Sequence, residues 1–177
     1  ANLMFLYTDI FIIKLISDRA NEEIANFSFA LNVTNMLLLI PLTLVQVDIE
    51  KLKQTSSYLK VLNKKIIALV AIASLFLLAF YWSIIQTVFL EYQETWTLFL
   101  LLLIAKVFHS LSSLYGTNLL IHKRFKENLI VNVIMLAVNI VLCYLLYFQL
   151  GINGVAIASG ISLFVRYIIL IRINNKI

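Results

Sequence analysis

The chain has 177 residues, of which 62% are hydrophobic and 13% charged, with a formal net charge of +5. A mean hydropathy of +0.97 and a single proline exclude an ordinary soluble domain and a disordered chain alike. One cysteine, Cys143, excludes an intrachain disulfide and a cysteine-based metal site, and two histidines form no cluster.

The apolar residues come in unbroken runs of helix length, not in the alternating ten-residue segments of a membrane barrel, so the class is an all-α polytopic membrane protein. A span needs roughly 20 residues at about 1.5 Å each. The first apolar stretch, 1–16, falls about four residues short and has neither a basic leader nor a small-residue cleavage site. It is expected to be a clipped helix of a fragment rather than a signal peptide, with Asp9 below the membrane surface. The second span, 24–47, carries Ser28, Asn32 and Asn35 at helical spacing and then Pro41, which is expected to kink its end. Asp48 to Lys65, with five lysines, is expected to be a solvated loop with room for a short surface helix. The third span, 66–87, has no charge and suits exposure to lipid, with Tyr81, Trp82, Tyr92 and Trp96 as an aromatic belt around its exit. The fourth, 96–121, holds Lys106 near its middle. The fifth, 129–148, puts Asn132, Asn139 and Cys143 on one face. The sixth, 155–171, carries a small-residue ridge, Gly154, Ala158 and Ser162, and a polar one, Ser159, Ser162 and Arg166.

On the fourth span, a rotation of about 100° per residue places His109, Ser110, Ser113 and Thr117 in one arc with Lys106. A lysine at mid-bilayer costs about 2.5 to 3.5 kcal/mol, so it is expected to face a bundle interior or a wet cavity. Two readings stay open: this face is the wall of a polar pathway, or Lys106 pairs with one acid and the serines bond neighbouring helices. Arg166 either joins Lys106 or snorkels to the nearby surface. The loops after spans two, four and six hold five, three and two Lys or Arg, against one, none and none for the others. By the positive-inside rule both ends of the segment are expected to be cytoplasmic.

Two or three buried cations against Asp9 make the interior net positive, which favours an anionic headgroup such as phosphate or pyrophosphate. Asp9 is expected to balance one cation or to take up a coupling proton or metal cation. No glycine-rich phosphate loop, HExxH, GxSxG or carboxylate pair is present, so no catalytic residue, bound cofactor or metal site is expected, and the chain is not expected to be an enzyme.

In order along the chain, LYTDIFIIKLISDRANEEIANFSFALNV, the proline-bearing end of the second span, the EYQETW turn, LYGTNLLIHKRFKENL, the paired VN of the fifth span and GINGVAIASGIS resemble the bacterial polysaccharide flippases of O-antigen type, within the multidrug, oligosaccharidyl-lipid and polysaccharide exporter superfamily. Ile24 stands where the family usually has glycine. The resemblance implies the C-terminal six-helix half of a two-lobed transporter that flips a lipid-linked oligosaccharide, usually on undecaprenyl pyrophosphate, across the bacterial inner membrane. It implies alternating access through a cationic cavity, possible coupling to H+ or Na+, and a partner lobe N-terminal to this one. Polysaccharide polymerase machinery is a further expected partner besides the bilayer, and nucleic acid is not. By this reading Lys106, His109, Arg166, Ser110, Ser113, Asn32 and Asn35 line the substrate path and Asp9 serves coupling or charge balance. The alternatives are a drug or cation antiporter of the same superfamily, which needs an acidic cavity, and a non-transporting membrane scaffold in which Lys106 and Asp9 hold helices together.

Overall fold

A computed structural model describes residues 2–54 and 58–175, the first five of them by backbone only, and among these residues there is no strand. The helices are α1 (Asn2–Ile16), α2 (Ala20–Asn35), α3 (Leu39–Val47), α4 (Ile49–Gln54), α5 (Tyr58–Thr87), α6 (Trp96–Ile121), α7 (Phe125–Leu150) and α8 (Ile152–Asn174). Five stretches are long and apolar enough to cross a membrane: Ala20–Val47, Tyr58–Thr87, Leu90–Ile121, Phe125–Leu150 and Ile152–Asn174. The described part of the expected first span is only the 15-residue α1, so a sixth crossing is not among them. The fourth span has the expected bounds. The third, fifth and sixth run longer than expected because polar residues at their ends continue the helix, where their backbone groups find helical partners. For the same reason the expected loop Asp48 to Lys65 is largely α4 and the first two turns of α5, with 55–57 outside the described residues.

The break between α2 and α3 has a single cause. Pro41 has no N–H to give the carbonyl four residues back, that of Leu37, and the chain tightens there into a 3-10 turn, Met36–Leu38. The freed Leu37 carbonyl accepts a long hydrogen bond, 3.3 Å, from the Ser110 hydroxyl on α6.

Helix α8 packs along both α6 and α7, whereas α6 and α7 barely touch each other. Glycines allow that proximity. A Cβ at Gly154 would lie 2.2 Å from the Leu146 carbonyl oxygen of α7, so any side chain there forces the two helices apart. The turn before it needs Gly151, whose φ of 58° and ψ of −142° suit almost no other residue. On the other side of α8, Gly160 faces Ala105 of α6, and an apolar groove of about 350 Å³ runs outside that seam between Leu101, Ile104 and Phe108 of α6 and Ala156, Gly160 and Phe164 of α8. Helix α1 closes the bundle against α2, α7 and α8, and α5 lies outside against α6.

Burial follows this arrangement. More than half of the most apolar part of Leu90–Ile121 is buried, and about a fifth of that of Tyr58–Thr87, which leaves Ile72, Leu75 and Phe76 pointing outward as a lipid-exposed helix requires. The expected aromatic belt is corrected in one respect. Tyr81 is buried, stacks on Phe99 at 3.8 Å and shares a 2.6 Å hydrogen bond with Thr95, while Trp82 is the half-exposed ring. A tyrosine whose hydroxyl finds a partner is retained in the core.

Candidate functional site

The polar groups of the core gather at two levels along α8. The first centres on Asp9. Helix α1 carries it to the point where α7 and α8 meet, and there Asn139 donates to its Oδ1 at 2.8 Å and Ser159 donates to its Oδ2 at 2.6 Å. The Cys143 thiol sits 3.7 Å from the same carboxylate and 3.9 Å from the Val155 carbonyl. These partners come as helical pairs, Asn139 with Cys143 on α7 and Val155 with Ser159 on α8, so one turn of each helix builds the cage. An acid costly to bury is thereby satisfied by neutral donors.

Facing the cage from α6 is Lys106, 5% exposed. Its ammonium has no hydrogen-bond partner and no ion pair among the described residues, although it lies within electrostatic reach of Asp9. Between them is an almost closed cavity lined by Asp9, Lys106, His109, Ser159 and the apolar Leu102, Ala105 and Leu163, with a water-accessible volume of about 10 Å³, room for about one water. His109 is buried at its edge with Nδ1 unpartnered.

The second level lies two turns further along α8, about 10 Å away. There Arg166, 2% exposed, donates from Nε to Asn132 Oδ1 at 2.9 Å and from Nη1 to Ser112 Oγ at 2.6 Å. No carboxylate pairs with it among the described residues. The guanidinium lies against Gly116, where a Cβ would stand 3.5 Å from Nη2, at ordinary contact distance. Beyond it, Asn118 and Asn174 hydrogen-bond each other at 2.8 Å across the same seam.

The expected site residues therefore divide. Asp9, Lys106 and His109 come together around one cavity. Arg166 neither snorkels nor lines that cavity, because two neighbouring helices, α6 and α7, supply its acceptors inside the bundle. Ser110 is taken up by the Leu37 carbonyl, and Ser113 is buried, its carbonyl accepting the Thr117 hydroxyl. Asn32 is exposed on α2 and lines no part of the cavity shared by Asp9, Lys106 and His109. Asn35 is half-buried, and its Oδ1 has no partner. Reasoning from one helix at a time left out Ser112, Asn132, Asn139 and Ser159 as partners of the embedded charges, although the polar faces of the fifth and sixth spans were the signal for three of them. Among the described residues no group of three or more His, Cys, Asp or Glu could hold a metal ion. Comparison with protein-family models, curated proteins and solved structures gives no match.

Proposed function

We propose that this bundle is one lobe of a membrane transporter that flips an anionic lipid-linked oligosaccharide, on an undecaprenyl pyrophosphate carrier, across a bacterial inner membrane. The observation that carries the reading is the ammonium of Lys106, sunk in the bundle without a hydrogen-bond partner and open to a cavity shared with Asp9 and His109. A cation left so costs folding energy and is retained where something else supplies the counter-charge. With Asp9 against Lys106 and Arg166, the interior carries one positive charge in excess, which suits a phosphate-bearing cargo and disfavours a cationic drug.

The cavity is too small for a pyrophosphate, so in this reading the described form is closed and cargo reaches Lys106 when α1 withdraws from α6 and α8. Asp9 is then the coupling group. Neutralised by a proton or a small monovalent cation among the oxygens of Asn139, Ser159 and Val155, it releases its hold on Lys106, which turns to the cargo. The basic loops face the cytoplasm by the positive-inside rule.

The test is the surface polysaccharide of cells carrying Lys106→Ala or Lys106→Arg in the intact protein, at matched protein level in the membrane. Loss with Ala and partial retention with Arg support the reading, and full surface polysaccharide with Ala rejects it. One observation favours a second reading: Asp9 is so fully hydrogen-bonded that it serves a scaffold as well as a transporter. The Lys106→Ala variant separates the two, because it leaves the hydrogen bonds of Asp9 to Asn139 and Ser159, and so a scaffold, intact but removes the cargo-facing cation.

A further inference from the structure

The structure assigns a second anion site, at the lysine-rich end of the bundle and independent of the cargo reading. The uncharged part of α5, Ile66 to Thr87, is about 33 Å long and by itself fills a hydrocarbon core of about 30 Å. The two turns before it, with Lys60, Lys64 and Lys65 exposed, therefore rise into the headgroup layer.

Beside them lies α4, pinned by Leu52, which is 1% exposed and packs with Leu62, Ile66 and Leu114. That docking brings a second set of charges to Tyr58. Its hydroxyl donates to Asp48 Oδ2 at 2.9 Å, while Lys51 donates to Asp48 Oδ1 at 3.2 Å. The ammonium groups of Lys51 and Lys65, from different helices, lie 5.6 and 5.9 Å from the centre of the Tyr58 ring. Two cations thus converge on one platform, and the Asp48 carboxylate between them fixes both the platform and Lys51. Lys60 and Lys64 have no acid partner among the described residues, so the patch remains positive.

We propose that Lys51 and Lys65 bind the phosphodiester of an anionic membrane phospholipid of the phosphatidylglycerol type, with Tyr58 as platform and Asp48 as positioning residue. The height of the lysines chooses the source: they lie where lipid phosphates lie, at the end of an uncharged span whose apolar surface takes the acyl chains.

Native mass spectrometry of the delipidated full chain with equal amounts of phosphatidylglycerol and phosphatidylcholine tests this. The expected result is preferential retention of phosphatidylglycerol, reduced about fivefold by Lys51→Gln and again by Lys65→Gln. Tyr58→Leu is expected to reduce it similarly, while Lys53→Gln, whose ammonium is turned to Glu50 and not to the Tyr58 ring, changes it little. Equal retention of both lipids, or Gln variants that bind like the parent, overturns the assignment. Displacement of the lipid by millimolar inorganic phosphate also overturns it, in favour of a site for free anions.

Discussion

Lys106 and Arg166 are two cations buried to the same degree in one helix seam, two turns of α8 apart, yet they are held in opposite ways. Arg166 is fixed by acceptors from α6 and α7, and Lys106 has a cavity in place of partners. A planar guanidinium with several donors can be satisfied by neutral oxygens, and its cost of burial becomes part of the packing. A point-like ammonium left without acceptors keeps that cost, and keeps its freedom to move. The comparison teaches that burial alone does not mark a functional charge. On the proposed reading, what marks it is burial without satisfaction.

The largest effect on folding is expected at the Arg166 level. Asn132→Leu leaves a buried guanidinium short of an acceptor and is expected to destabilise the fold by about 1–3 kcal/mol, measured by thermal unfolding in detergent. Lys106→Met breaks no hydrogen bond and removes an ammonium whose burial is costly, so the variant is expected to be as stable as the parent or more stable, while on the proposed reading transport is lost. An equal and large loss of stability in both variants would erase the contrast and favour a scaffold. Smaller still is Ser110→Ala, which removes one long bond to the Leu37 carbonyl. It is expected to cost about 0.6 kcal/mol and to leave surface polysaccharide unchanged, against a place for Ser110 on the cargo path.

The smallest effect contrasts an interior charge with a paired one outside the spans. The Tyr58 hydroxyl and then the Lys51 ammonium hold the Asp48 carboxyl below its usual range. A lowered folded value means the contribution is complete above the unfolded value, about 3.9, and fades as pH falls through the folded one. Unfolding followed from pH 5 to pH 2 should therefore show a slight loss that Asp48→Asn removes. An identical pH profile in that variant would show that Asp48 adds nothing to stability.

Legibility in the sequence differed between the two regions for a reason. The polar face of α6 was readable because one helix carries Lys106, His109, Ser110 and Ser113 in a single phase. Membership in that face did not decide use. Ser110 answers Pro41, 69 positions earlier, and Asp9 finds Ser159, 150 positions later. No periodicity within one segment encodes such distances. Asn32 and Asn35 shared a face with Ser28, yet which way that face turned depended on where α2 docked.

What the sequence determined by itself was the all-α class, its long apolar helices and the burial of Lys106, because hydropathy and helical rise act locally and sum along the chain. What only the tertiary structure decided was which buried charge is satisfied and which is left waiting. A hydrogen bond between helices depends on their relative rotation and distance, and those come from packing of the whole bundle, with Gly154 setting how closely α7 and α8 approach.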